Sequence, residues 1–315
     1  MKTHLLIVFL FVAFIRINAQ NYAVAAIPED LKTDAQAVIR EYSETFVQDD
    51  AQTGIDNVIY TTTIFDEKGD NYMNFHVYED FFRELKNFSG EIFNAQGKSI
   101  KKIGKKDLVS TAISDNLADN GRNTFYIFHA PSYPITVKYV YELKYKNGIL
   151  AYPPFFPVFG FRVSVEKADY TLQIPQDVEL REKKLNTQIE TVRSTTDKSK
   201  IYKWSINQFK ALPYEAYAPV EELFPVIYLS PEKFCMGKTC GDMSDWEHFE
   251  SVPSPCQWFS AVKRFVLSTV PLARVRNVPN RTCLHKFCPY RIFQVKDKLL
   301  ETVLRQVHKL RMAKP

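Results

Sequence analysis

No cysteine occurs in the first 234 residues of this 315-residue chain, no apolar run outlasts Leu5 to Ile15, and acidic residues nearly vanish after Lys263. Each scarcity excludes something. Eleven apolar residues cannot span a hydrocarbon core of ~30 Å, which takes about 20 residues in a helix. The lack of cysteine near Ala19 excludes a lipid anchor at that point. No repeat or low-complexity segment is evident, and no complete catalytic constellation can be read. Class and compartment are therefore more legible than activity.

The start of the chain carries Lys2, the apolar run Leu5 to Ile15, and then Arg16-Ile17-Asn18-Ala19 ahead of Gln20. This is the pattern of a secretory signal peptide over residues 1–19, cleaved after Ala19, against the alternative of an uncleaved short anchor. The expected compartment is periplasmic or extracellular. The mature chain is long enough for two domains, and a hydrophobic content of 45% is enough for substantial cores.

All five cysteines, Cys235, Cys240, Cys256, Cys283 and Cys288, lie late in the chain. In an oxidising compartment they allow at most two intramolecular bridges and leave one thiol. From Lys263 onward thirteen Lys and Arg face only Asp297 and Glu301, so this part carries +11 while the preceding 262 residues carry −6. The overall +5 describes neither part.

Strand signals dominate from Ala35 to about Tyr228. The cleanest places Ile135, Val137, Tyr139, Tyr141, Leu143 and Tyr145 on one face against Thr136, Lys138, Glu142 and Lys144 on the other, the alternation of a half-buried antiparallel strand. Asn147-Gly148 then supplies a tight turn, with Ile149-Leu150-Ala151-Tyr152 as the expected returning partner. Val58 to Phe65 is rich in β-branched residues, and Glu91 to Ile103 reads as two short strands around Ala95-Gln96-Gly97-Lys98. Arg162 to Ile174 reads as a strand whose apolar phase shifts between Val165 and Ala168, as at a bulge. Helical patterns are few: Tyr78 to Lys86 fits a couple of turns, and Val295 to Leu310 places Leu299, Val303, Leu304 and Val307 at helical spacing. The expected architecture is mainly β and antiparallel, sandwich-like. Its parts are a large antiparallel β-module over residues 20–160, a smaller β-module over 161–234, a cysteine-bearing linker over 235–262, and a basic tail over 263–315 that is disordered or helical.

Several constellations carry chemistry in principle. Cys240-Gly241-Asp242 with Asp245 and His248 assembles a thiol, a carboxylate and an imidazole, but a triad is defined by geometry and adjacency in sequence is poor evidence for one. Cys235-x4-Cys240, Cys256 and Cys283-Leu-His285-Lys-Phe-Cys288 offer zinc ligands at a spacing wider than the CxxC pairs such sites favour. A Cys235–Cys240 or Cys283–Cys288 bridge, or cysteines with no role, explains the same residues. The tail's cations, with Phe287, Tyr290 and Phe293, could meet phosphates or an anionic membrane surface; export argues against nucleic acid. Tyr152, Phe155, Phe156 and Phe159, interleaved with Pro153, Pro154 and Pro157, either line a groove for a peptide or glycan or fill a corner between sheets. No metal, cofactor or catalytic residue is expected.

The run Phe93-Asn94-Ala95-Gln96-Gly97-Lys98, with Ile100-Lys101-Lys102 and Lys106-Asp107-Leu108, then Tyr133-Pro134-Ile135-Thr136-Val137-Lys138-Tyr139, resembles exported Bacteroidota proteins carrying domain-of-unknown-function family 3857. The resemblance continues through Val163-Ser164-Val165-Glu166-Lys167, Tyr202-Lys203-Trp204, Ala211-Leu212-Pro213-Tyr214-Glu215 and Phe224-Pro225-Val226, and ends at Gly241 to Phe249. It implies an exported β-rich module that precedes a transglutaminase-like domain, in which a Cys, His and Asp arrangement attacks an amide carbonyl. The chain departs from that pattern near Glu250. The function this implies is a non-catalytic binding or scaffolding module for a protein, peptide or glycan. The alternative is a truncated fragment of a transglutaminase-like enzyme or peptidase whose catalytic residues lie elsewhere.

Overall fold

Period-two alternation is realised over long spans. The computed structural model describes residues 22–112, 121–216, 218, 223–237 and 239–242. In chain order its strands are β1 (Ala37–Gln48), β2 (Gly54–Ile64), β3 (Phe75–Glu79), β4 (Arg83–Phe93), β5 (Ser99–Gly104), β6 (Val109–Ala112), β7 (Arg122–Tyr126) and β8 (Ile135–Tyr145). They continue as β9 (Gly148–Ile149), β10 (Val163–Pro175), β11 (Leu180–Leu185), β12 (Val192–Thr195), β13 (Ser199–Phe209), β14 (Val226–Pro231), β15 (Lys233–Met236) and β16 (Thr239–Asp242). One short helix, α1 (Glu29–Lys32), precedes them. The chain is mainly β, as its patterning predicts.

Eight strands form one sheet in the order β12-β13-β10-β1-β2-β8-β4-β5. Three small sheets, β11-β14, β16-β15-β9 and β3-β7-β6, accompany it. One face of the large sheet carries two apolar clusters. The first joins Phe46, Tyr170, Leu172 and Trp204 of the sheet to Ile149, Tyr152, Phe155, Ile227 and Leu229. The second joins Leu85, Phe88, Val137, Tyr139 and Leu143 to Phe75 and Val77 of β3. Tyr60, Tyr72 and Tyr145 touch both, so the interlayer core is continuous. The opposite face is covered at one end by α1 and the residues just before it, where Ile27 and Leu31 pack on Val38 and the Ser164 hydroxyl donates to Leu31 O at 2.6 Å.

The alternation from Ile135 to Tyr145 holds for most positions: Ile135, Val137, Tyr139 and Leu143 are buried while Val140 and Lys144 are exposed, but Thr136 on the other face is buried too. The expected return strand does not form. β8 is flanked by β2 and β4, with ten or more registered residues on each side, so no edge is left for Ile149. Asn147 and Gly148 do adopt positive φ, 62° and 145°. The chain then leaves the sheet, and Ile149 pairs with Cys235 of β15. Pro153 and Pro154, which lack N–H donors, could not have continued a ladder along β8.

Tyr78 to Lys86 is also not helical. Asp80 Oδ1 accepts from the N–H groups of Phe82 and Arg83, both at 2.8 Å, and Asp80 N–H donates to Arg83 O at 2.8 Å. A side chain that satisfies local N–H groups this way favours a turn over a helix, and here it joins β3 to β4. The two strands around Ala95 to Lys98 are β4 and β5.

The phase change in β10 is present. Val163 and Val165 are buried, Glu166 and Lys167 are not, and burial resumes at Ala168, Tyr170, Leu172 and Ile174. The β1–β2 register shifts between Ile39 and Glu41, beside this point, and Arg40 Nε meets Glu166 Oε2 at 2.6 Å. The β1–β10 pairing is parallel, an exception to the antiparallel expectation at the centre of the sheet. It also carries the sheet across the boundary expected at Phe161: β10 hydrogen-bonds directly onto β1, and β13 and β12 extend the sheet outward from β10. The helix expected over Val295 to Leu310, the basic tail and the signal peptide lie outside the described residues.

Candidate functional site

The segment from Tyr152 to Arg162 crosses the covered face of the sheet. Tyr152 and Phe155 are buried, at 3% and 0% exposure. The Tyr152 hydroxyl donates to Gln48 Oε1 at 2.6 Å, and Phe155 bridges Ile227 through both backbone groups. Phe156 is half-buried against the same cluster. Tyr152, Phe155 and Phe156 are therefore inter-sheet packing, which corrects the groove reading for them: pairing to β14 turns these side chains into the core. Phe159 alone of the four lines an open groove.

That groove encloses roughly 620 Å³. Besides Phe159 its walls include Lys68, Tyr72, Phe161, Arg162 and Tyr214. Phe161 packs edge-on against Tyr214 at 5.6 Å and Phe224 at 5.2 Å. A Cβ at Gly160 would stand 2.9 Å from the Tyr72 hydroxyl, so any larger residue there would displace that side-chain end within the groove wall. Arg162 has φ 58°, a left-handed conformation that costs a non-glycine residue about 1–2 kcal/mol. It is held on both sides, its N–H donating to Leu212 O at 2.8 Å and its C=O accepting from Gln36 N–H at 2.7 Å. Strain of this kind persists where the surroundings over-determine it, and it clusters at binding sites. Arg162→Gly should therefore leave stability unchanged or raise it by about 1 kcal/mol while removing one of the groove's two cations; urea denaturation measures the first effect and ligand titration the second.

The other residues of the groove come from three separated stretches. Lys68 and Tyr72 belong to the 3₁₀ segment Glu67–Met73, Phe161 and Arg162 to the entry of β10, and Tyr214 to the connection after β13. The only local sign was Gly160 among aromatics.

The groove is joined to a buried polar cluster. The Phe159 ring meets Tyr42 at 5.9 Å and Tyr60 at 5.7 Å, both edge-on. The Tyr42 hydroxyl donates to Glu44 Oε2. Phe46 stands opposite Asp56, and Glu44 opposite Val58, so Glu44 and Asp56 are diagonal neighbours on the covered face. They are 3% and 2% exposed, and a side-chain hydrogen bond links the two carboxyl groups. Burial, then the Asp56 charge, pushes the Glu44 carboxyl well above the usual range. Burial pushes Asp56 up to about 7, against the opposing pull of the Arg83 guanidinium and of the hydrogen bond from Glu44. The signs agree with a proton resident on Glu44 and shared with an Asp56 carboxylate near neutrality. Tyr42, Tyr141 and Tyr170 are pushed up chiefly by burial. Asp56 Oδ1 and the Tyr170 hydroxyl make no hydrogen bond.

Cys235 and Cys240 face each other across the β15–β16 hairpin and form a disulfide. The Cys240 sulfur is thereby committed, which leaves no thiolate there for Asp245 and His248 to activate. Cys256, Cys283, Cys288, Asp245 and His248 lie outside the described residues. No group of three or more His, Cys, Asp or Glu suited to a metal occurs among the described residues.

A mainly β module built on one broad sheet, with a groove at the entry of its central parallel pair, is the class this geometry defines. The family model for the Domain of Unknown Function with solved structure (DUF3857) matches residues 51–213, and the chain belongs to that family. No curated protein matches the sequence. Among solved structures the chain is similar to a protein from Parabacteroides distasonis described as a candidate protease, with TM-score 0.53 and 16% identity over 62% of this chain and 40% of that one. It is less similar to an M1 zinc metallopeptidase from Deinococcus radiodurans, with TM-score 0.31 and 9% identity over 62% and 42%. Leukotriene A4 hydrolase from Saccharomyces cerevisiae gives 0.29 and 9% over 63% and 29%. The first likeness is one of fold, and the chain spans less than half of each of these proteins.

Proposed function

We propose that this chain is a non-catalytic binding module of an exported, transglutaminase-like protein, and that the groove between Phe159, Arg162 and Tyr214 holds a peptide segment presenting a carboxylate. The observation that carries this reading is the convergence of four aromatic rings and two cations, Lys68 and Arg162, against a single carboxylate, Glu215, on one open cavity. Apolar walls with a few charged groups are the usual make-up of a ligand site, and a guanidinium matches a carboxylate in bidentate geometry. A peptide is favoured over a glycan by the fold shared with a candidate protease. The Cys235–Cys240 disulfide favours the oxidising compartment that export provides.

Titration of the ¹⁵N-labelled protein with short peptides bearing free C-terminal carboxylates tests it. Backbone shifts confined to residues 67–73, 158–162 and 214–216, lost in Arg162→Gly, are expected. Equal shifts with C-terminally amidated peptides would remove the carboxylate from the proposal, and shifts with oligosaccharides alone would replace the peptide by a glycan.

The second reading, a fragment of a transglutaminase-like enzyme or peptidase with its Cys, His and Asp residues outside this chain, is favoured by the chain spanning 40% of the candidate protease. Sequencing across and beyond codon 250 separates the two, since an overlapping frame encoding such a catalytic core would support the fragment.

A further inference from the structure

The mixed carboxyl and tyrosine cluster has no role in binding as described above, yet it touches the groove through a short chain of contacts. Phe159 lines the groove and packs edge-on on Tyr42. Tyr42 donates its hydroxyl hydrogen to Glu44, and Glu44 shares a hydrogen bond with Asp56. A parallel route runs from Tyr60, which touches Phe159 and donates its hydroxyl to Tyr72 O at 2.9 Å, to Tyr72 in the groove wall. We propose that the Glu44–Asp56 pair is a proton-operated control on the groove: gain or loss of one proton at the pair repositions the Tyr42 hydroxyl and, with it, Phe159. The inference rests on the groove being the binding site, since otherwise the movement controls nothing.

Asp56 is sealed between the layers, and its Oδ1 has no hydrogen-bond partner. An ionised carboxylate there is costly unless neighbours reorient toward it. The groups facing the pair are Tyr42 on its own strand, Arg83 on β4, Tyr141 and Tyr145 on β8, and Tyr170 on β10. Arg83 Nε is committed to Tyr78 O at 2.9 Å, and its guanidinium also feels Asp80. The hydroxyls of Tyr42 and Tyr170 are the donors free to turn: Tyr42 already bonds Glu44, and the Tyr170 hydroxyl is unbonded. Turning Tyr42 toward Asp56 breaks its bond to Glu44 and changes the surface on which Phe159 packs. The groove lining itself carries the charged groups Lys68, Arg162 and Glu215 and no histidine.

Coupling through a contact chain needs a direct test. In aromatic NMR of the ligand-free protein, the Tyr42 and Phe159 ring resonances should move together between pH 5 and 9, with a midpoint equal to that of the Asp56 side-chain ¹³C carboxyl resonance. Asp56→Asn should abolish both ring transitions. Tyr42→Phe should abolish the Phe159 transition while the Asp56 carboxyl still titrates. Flat ring resonances, a Phe159 transition that survives Tyr42→Phe, or an Asp56 midpoint below pH 5 would each overturn the proposal. If Asp56→Asn does not fold, the wild-type carboxyl titration and Tyr42→Phe suffice. No ligand enters the experiment, so failure of peptide binding sinks the functional reading while leaving this result to stand or fall separately.

Discussion

Unfolding free energy should fall by roughly 4 kcal/mol between pH 4 and pH 8 as the buried Glu44–Asp56 pair loses its first proton, and Asp56→Asn should remove most of that fall. The folded-state value of about 7 exceeds the unfolded value of ~3.9 by roughly three units, each worth 1.36 kcal/mol. For an acid held above its unfolded value, the folded state binds the proton more tightly. Its stabilising contribution is therefore complete below pH ~4, is lost as pH climbs toward 7, and stays lost above. Glu44, pushed upward in the same sense, extends the loss to still higher pH. Glu84 acts oppositely: its ion pairs with Lys86 and Lys146 hold it down to about 2, so its contribution fails only as the medium becomes strongly acid, and its exposure keeps that contribution small. Urea denaturation at pH 4.5, 6 and 8 measures the effect; at 2–4 °C per kcal/mol, melting should drop by about 10 °C across that range. Asp56→Asn should be more stable than the wild type at pH 8 and close to it at pH 4.5. Parallel curves for the two proteins would show that Asp56 is ionised throughout.

The sequence discloses this cluster poorly because its members follow the alternation that marks a core. Glu44 sits between Tyr42 and Phe46, and Asp56 two positions before Val58, where a polar residue in register with apolar ones reads as noise. Only the pairing of β1 with β2 shows that both carboxyls share a face. The strands themselves were readable wherever alternation ran for many residues without a local competitor, as in Ile135 to Tyr145 and in the phase change at Val165 to Ala168. Reading failed where partner choice mattered. Asn147-Gly148 has the dihedral preference of a hairpin turn, but that says nothing about whether the outgoing strand already has two neighbours. Asp80 illustrates the converse, since one side chain bonding two N–H groups outweighed a weak helical spacing over Tyr78 to Lys86. Of the groove, sequence proximity placed Phe159 beside three residues that belong to the core, while Lys68 and Tyr214 arrive from about 90 and 50 residues away. The peptide segment Tyr152 to Arg162 is thus both a structural strap and the source of one groove wall.

Replacing Trp204 by Ala should destabilise the whole described β-structure by about 3–5 kcal/mol, in a single transition. Trp204 is 1% exposed. Its indole N–H donates to Glu182 Oε1 at 2.8 Å and Thr191 Oγ1 at 3.0 Å, and its ring meets Tyr170 at 5.6 Å and Tyr202 at 6.2 Å. Truncation removes the apolar surface and leaves Glu182, which Lys184 and Arg193 also approach, short of one donor in a largely buried site. Trp204→Phe should cost about 1–3 kcal/mol, the penalty for that lost donor with most of the packing retained. The number of transitions carries the larger lesson. Trp204 sits opposite Tyr170, and Tyr170 opposite Glu44, so three adjacent strands drawn from both sides of residue 161 share one row of side chains. If residues 161–234 folded as a separate module, Trp204→Ala would melt that part alone, and the backbone amide NMR signals of residues 37–145 and of residues 163–209, as two probes, would report different midpoints. A continuous eight-stranded sheet predicts coincident midpoints by both probes, and urea melts of the variant followed by both distinguish the two outcomes.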